Sequence, residues 1–395
     1  MNQTEQVFLS LLRGYVCGEV LQALPETNWQ ALYHLAQDHN VTGIFGRIFA
    51  DLSKDGRPPA PYDSMFRQAM GQTLMAYEKK NGAVQVMARI LDEEDIPYLT
   101  VKGAQTAAAY PDPSLRTSGD TDIVLTEENQ IKAIAALESH GFAKKVAHED
   151  VNLLTLYGWE FELHTRLESI NDASKVLLQN PFDSAISYAV GRSEYALRPA
   201  YAVYYTVLHL LHHIKTGGAG VRMLLDTDLL LRQNPDAALQ ALDLAKTSHL
   251  ERSFTCIFAL CKQWLHTPIP CPIAALDAET ADKFAAVILG GGVFGHGNGN
   301  TGAVFLARQK AAKGAATPFN RLGALLRYLF PNRAYMTYQF SYLEKKPYLL
   351  LFAYFQRFWI GLFRNRAHSV ASFQALTGKN QGAAQLHSVW EELDI

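Results

Sequence analysis

Cysteine is scarce, with only Cys17, Cys256, Cys261 and Cys271 among 395 residues. No two stand at the two-residue spacing of zinc ribbons or redox motifs, which argues against a thiolate metal site. Such sparse use fits the reduced thiols of a cytoplasmic protein. An excess of either charge is missing as well: 36 Lys plus Arg stand against 38 Asp plus Glu, a formal net charge of -2. Without a basic surplus to neutralise a phosphate backbone, a nucleic-acid partner is not favoured. The opening MNQTEQVFLSLLRGYV has no basic n-region and no small-residue cleavage site after an apolar run. Phe8, Leu11, Leu12 and Tyr15 recur there at helical steps, so an amphipathic helix is expected. The most apolar stretch, Pro347 to Asn365, is interrupted near its middle by Gln356 and Arg357. A central arginine costs about 2.5–3.5 kcal/mol on insertion scales, so a buried or partner-facing helix is expected, not a transmembrane segment.

What is present suits a globular chain of more than one domain, at 48% hydrophobic and 19% charged residues. There is no internal repeat. Residues 1–90 read as helices, clearest where Leu74, Tyr77, Val84, Met87 and Leu91 fall near one face. Residues 91–170 change character. Strand candidates are Ile96–Val101, Thr121–Leu125, Phe142–Ala147, Val151–Tyr157 and Trp159–Leu167. A helix over Gln130–Ser139 separates them, with Ile131, Ile134, Ala135 and Leu137 expected mostly inward. Helical patterning returns over 171–289, most clearly at Ala200–Ile214 and Met223–Arg232. The glycine-rich run Gly290–Gly302 lacks the Gly-Lys-Ser/Thr ending of a P-loop and is expected to be a connector to a helical region at 303–395. The fold class expected is α+β, a small mixed-sheet core set within a mainly helical chain.

The chemistry gathers at Gly119-Asp120-Thr121-Asp122, which leads into Ile123-Val124-Leu125. Residues two apart on a strand share a face, so Asp120 and Asp122 point together. Paired carboxylates repel one another unless a cation lies between them, and hard oxygen ligands suit Mg²⁺ or Mn²⁺. An isolated Asp-x-Asp is also what a strand edge at the surface looks like. Upstream, a strand ending at Val101 meets Lys102-Gly103-Ala104 at a helix start, where a phosphate could approach. Arg116 stands four residues before Asp120, either reaching a phosphate or exposed in its turn. Glu160, Glu162 and His164 alternate with Phe161 and Leu163 on a later strand. On alternation alone, a polar face turned to solvent is the favoured account of Glu162.

The run LTVKGAQTAAAYPDPSLRTSGDTDIVL, followed by WEFELHTRL, resembles the uncharacterised bacterial nucleotidyltransferases of the polymerase-β-like superfamily. The matching positions are Lys102-Gly103, Tyr110-Pro111, Arg116, Asp120 with Asp122, and Glu162 with His164. The resemblance extends through His209–Leu231 and, more loosely, Arg327–Leu343. It departs from the superfamily where a serine commonly follows the glycine, since Ala104 stands there.

The resemblance implies a transferase that moves a nucleoside monophosphate from a nucleoside triphosphate such as ATP to an unknown acceptor, releasing pyrophosphate. Asp120, Asp122 and Glu162 would then hold Mg²⁺ or Mn²⁺ and carry catalysis, with Lys102, Gly103, Arg116 and Arg222 toward the phosphates. The alternative is a non-catalytic nucleotide-binding regulator of the same fold. Two readings stay open around the later helices. Arg222 and Asp226 are four apart, the spacing of a structural ion pair, while Arg222 could instead reach a phosphate. His209 and His213 could share a metal or simply pack in a helix face.

Overall fold

The computed structural model describes residues 1–19, 26–53, 56–148, 151–189, 191–216, 218–292, 330–340, 342–363 and 381–395. It is an α+β fold built on a seven-stranded mixed sheet. Helices α1 (Gln3–Cys17), α2 (Trp29–Asp38), α3 (Thr42–Ala50) and α4 (Tyr62–Glu93) precede the sheet. The expected face of α1 is real, with Phe8, Leu11 and Leu12 fully buried. Helices α3 and α4 cross closely because Gly46 has no side chain: an added Cβ would lie 2.5 Å from the Phe66 carbonyl oxygen.

Strands β1 (Tyr98–Thr100), β2 (Asp120–Val124), β3 (Ala143–His148), β4 (Val151–Leu156) and β5 (Trp159–His164) fall where alternation places them. Helix α5 (Gly103–Ala107) follows β1, and α6 (Glu127–Ser139) follows β2. After α7 (Asp172–Leu177) come β6 (Ala185–Ser187) and β7 (Glu194–Leu197), two strands inside a stretch whose local pattern reads as helical. The sheet order is β3-β4-β5-β2-β1-β7-β6. Strand β7 adds to β1 in parallel, pairing Leu99 with Tyr195. So distant a pairing leaves no local signature.

One sheet face, carrying Ile123, Phe161 and Leu163, packs with Met87, Leu91, Ala133 and Leu137 from α4 and α6 into one core. The inward set of α6 therefore differs from expectation: Ala133 and Leu137 are buried, whereas Ile131 is 71% exposed. A larger core joins α1–α3 to α8 (Pro199–Thr216), α9 (Val221–Gln233), α10 (Ala237–Thr247), α11 (Glu251–Leu265) and α12 (Ala278–Gly291). Beyond it lie α13 (Arg333–Gln339), α14 (Tyr342–Lys345), α15 (Leu350–Phe363) and α16 (Gln381–Leu393). The expected connector at Gly290–Gly302 lies, after Gly292, outside the described residues. Helix α15 buries Ala353 but exposes Leu351, Phe352, Phe355, Phe358 and Trp359. Among the described residues no helix is long and apolar enough to cross a membrane.

His39 ties the larger core together. It is fully buried, its Nε2 lies 3.1 Å from the Leu289 carbonyl oxygen, and its Nδ1 accepts the Val221 N–H at 3.3 Å. Both ring nitrogens are thus engaged by a neutral imidazole, and burial lowers its pKa to about 4, the Leu289 carbonyl offsetting only part. Between that value and the ordinary histidine range the unfolded chain binds the extra proton, so stability falls as the pH drops through this window. A wild-type loss of about 3 kcal/mol between pH 7 and pH 4 is expected from this residue. In urea titrations a His39→Gln variant should lack that part of the acid limb; an unchanged limb would remove His39 as its source.

Candidate active site

Strands β2 and β5 run parallel and in register, with Asp120 opposite Glu160, Asp122 opposite Glu162 and Val124 opposite His164. Neighbouring strands lie about 4.8 Å apart, so same-face side chains at paired positions touch. The inward alternates Thr121, Ile123, Phe161 and Leu163 anchor the strands. Trp159, at the start of β5, ties that strand to β2 by donating its indole N–H to Thr121 Oγ1 at 2.9 Å. The outward alternates Asp120, Asp122, Glu162 and His164 consequently converge on one cleft.

That cleft, of about 250 Å³, is walled by β2 and β5 on one side and by α8 and α9 on the other. Six of the seven residues singled out in the sequence as catalytic or phosphate-facing are joined there by the seventh, Arg222, and by His209, His213 and Asp226. Glu160 instead pairs with Lys145 at the surface.

The tightest donor set is Asp122, Glu162 and His164, whose ligand atoms all lie within 4.8 Å of one another. His164 Nε2 is 3.1 Å from Asp122 Oδ1 and 3.4 Å from Glu162 Oε2. Burial disfavours its imidazolium, but these two carboxylates outweigh burial and raise its pKa to about 9. Lys102 Nζ stands 3.5 Å from Asp122 Oδ2. Burial alone would raise the Asp122 carboxyl; Lys102 and His164 together hold it well below the usual carboxylate range. Asp120 has the opposite fate, raised by burial and then by the negative charges of Asp122 and Glu162. Lys102 and Arg222 offset only part of that rise.

Lys102 takes a left-handed backbone conformation, φ 61°, which is unfavourable for a residue with a side chain. The turn aims its ammonium inward, 5.6 Å from the centre of the Tyr205 ring. Burial would depress the ammonium, yet Tyr205, Asp122, Glu168 and Asp120 around it leave its pKa well above the lysine norm. Helix α5 after it has only five residues. At Gly103 an added Cβ would meet no atom within 4 Å, so a ligand has room against that backbone.

Arg116 is placed differently from its expectation as a free phosphate ligand. Its Nε and Nη2 donate to the two oxygens of Asp226 at 3.0 and 2.9 Å, and Tyr110 Oη donates to the same carboxylate at 2.6 Å. The ion pair that helical spacing suggests between Arg222 and Asp226 is thus made by Arg116 from another element. Arg222 donates to the Thr117 carbonyl oxygen, and its buried Nε has no hydrogen-bond partner.

Four contributors escaped the sequence reading. Glu168 accepts from His209 Nδ1 at 2.8 Å, and His209 Nε2 lies 3.1 Å from His213 Nε2. Burial and then Lys102 lower His209, and burial with the His209 neighbour lowers His213 to about 3, so both rings are neutral. Tyr205 precedes His209 and His213 by four and eight residues on α8, a helical spacing that could have revealed it. Lys80 on α4 donates to Ser118 Oγ at 2.5 Å. No local motif marks Lys80 or Ser118.

Residues 25–266 match a protein family described as an uncharacterised nucleotidyltransferase, and the chain belongs to that family. No curated protein and no solved structure matches it. The match spans the whole sheet and helices α2 to α11, and so every residue of the cleft.

Proposed function

We propose that this cleft transfers a nucleoside monophosphate from a nucleoside triphosphate to an acceptor hydroxyl, releasing pyrophosphate, in a reaction that requires Mg²⁺ or Mn²⁺. The observation that carries this reading is the parallel register of β2 and β5, which brings Glu162 beside Asp122 and onto the face of Asp120. Two carboxylates and a histidine within ligand distance of one another fit a divalent cation, and the Asp120 carboxyl stays raised because Lys102 and Arg222 offset only part of its burial and of the neighbouring negative charge. Asp120, Asp122 and Glu162 would hold the ion, with His164 bonded to both Asp122 and Glu162. When bound, the cation supplies charge neutralisation at the transferred phosphoryl group.

The chain's own groups account for the rest. Glu162 accepts the acceptor proton. The freed oxygen bonds to the α-phosphorus as the bond to pyrophosphate breaks. Lys102 sets the charge of Asp122 and, with Arg222, offsets negative charge on the nucleotide, a mainly electrostatic contribution, while Arg116 acts through its pair with Asp226. The open backbone at Gly103 leaves room for a ligand beside Lys102.

Incubation with Mn²⁺, a panel of small alcohols, proteins and RNA ends, and ATP labelled at either the α- or γ-phosphate tests the reading. Label from the α-position should reach an acceptor, while γ-label leaves as pyrophosphate. Transfer of γ-label to the acceptor would make the protein a kinase instead.

A further inference from the structure

We propose that Lys80, Ser118 and Arg222 form a polyphosphate subsite that grips the β- and γ-phosphates of the nucleotide, beside the carboxylate cluster and apart from the Lys102–Gly103 turn. This rests on the nucleotidyl-transfer reading and names where the leaving pyrophosphate is held.

The first support is a buried cation with unused bonding capacity. Arg222 lines the cleft, is enclosed by protein, and leaves its Nε without a hydrogen-bond partner. A buried donor of this kind is costly unless a ligand completes it. Its natural carboxylate, Asp226, is already held by both arms of Arg116 and by Tyr110.

The second support is local charge. Lys80 and Arg222 both feel the charge of Arg116, and of the carboxylates acting on them Asp226 is the one Arg116 occupies, while Asp120 belongs to the carboxylate cluster. Burial, then Arg116 and Arg222, lower the Lys80 ammonium to about 8 against the pull of Asp120. Positive groups crowded in this way are relieved by a polyanion.

The third support is shape. The loop before β2 is pinned from two sides, Arg222 bonding the Thr117 carbonyl and Lys80 the Ser118 hydroxyl. Next to them, Gly119 faces open space, with no atom within 4 Å of a Cβ placed there. Phosphate oxygens can therefore reach this backbone immediately before Asp120. The Lys102–Gly103 turn is less suited, because no hydroxyl follows the glycine and Lys102 already serves Asp122.

The probe is inorganic tripolyphosphate, titrated into the full chain by calorimetry. Wild type should bind it, and Lys80→Met and Arg222→Met should each weaken binding roughly tenfold to a hundredfold, the worth of a charge-assisted contact. Asp120→Asn should bind as tightly as wild type or more so. Arg222→Lys, which keeps the charge and lacks the fork, should fall between wild type and Arg222→Met, and melting curves confirm that each variant is folded. Wild-type affinity in both folded methionine variants would overturn the subsite. A protein that binds tripolyphosphate through these residues yet transfers no α-label keeps the subsite and overturns the transferase reading. One that transfers label with an unchanged KM for ATP in Lys80→Met overturns the subsite alone.

Discussion

Asp120→Asn should abolish divalent-cation binding and nucleotide transfer while leaving the melting temperature equal to or above that of wild type. The two halves of this expectation have one cause. Asp120 is largely buried beside Asp122 and Glu162, and all three influences raise its carboxyl pKa. A raised carboxylate is less stable charged in the fold than in the unfolded chain, so at neutral pH its ionised form lowers stability. The amide removes that repulsion and keeps the shape. It also removes a hard anionic group from the set proposed to hold a cation. Metal ions supply several kcal/mol of charge stabilisation in such transfers, so a fall of about three orders of magnitude in turnover is expected. Mn²⁺ binding followed by electron paramagnetic resonance checks the first half without reference to any acceptor. Wild-type Mn²⁺ affinity in the folded variant would remove Asp120 from the metal site. Asp122→Asn should differ in sign for stability, because it strips Lys102 and His164 of their shared partner.

The largest structural effect is expected at Asp226. This carboxylate is buried and accepts three hydrogen bonds, two from Arg116 and one from Tyr110. The arms of Arg116 and the charges of Arg116 and Arg222 hold it below the ordinary carboxylate range, against the effect of burial. Asp226→Ala would strip the buried Arg116 guanidinium of its bidentate partner, with the Arg222 charge close enough to disfavour it. Removing one partner of a buried pair costs about 3–5 kcal/mol. Replacing both partners with apolar groups of similar volume is often neutral, so Arg116→Met combined with Asp226→Leu should recover most of the loss. Urea denaturation of the single and double variants measures this. A loss below about 1 kcal/mol in Asp226→Ala would show the pair to be worth no more than one at the surface. The same triad joins the loop before β2 to α9, so Asp226 variants should also lose activity through misplacement of Asp120.

Much of this was legible along the chain where physics is local. Alternation in Thr121–Leu125 and Trp159–His164 assigned inward and outward faces, and the structure keeps them, with Ile123, Phe161 and Leu163 fully buried. Those alternations cannot say which strands lie side by side. The neighbour of Asp122 is decided by a parallel pairing across about forty residues, and β7 joins β1 across about ninety-five. Glu162 thus moved from a polar strand face to the centre of the site through pairing alone. Arg116 moved the other way. Its short separation from Asp120 suggested a phosphate ligand, whereas a carboxylate on α9 captures both of its arms.

Composition and local pattern by themselves determined the near-neutral charge, the mixed sheet within helices, the Asp120–Asp122 face and the lysine-glycine turn. The charge is a sum over the chain, and the strand faces and the turn depend on residues within a few positions of one another. Tertiary structure alone decided which carboxylates meet, which arginine is consumed by Asp226, and that Arg222 keeps an unpartnered donor at the cleft while Lys80 holds Ser118 beside it. Charge interactions act through space over a few ångströms, and only the folded sheet and its covering helices set those distances.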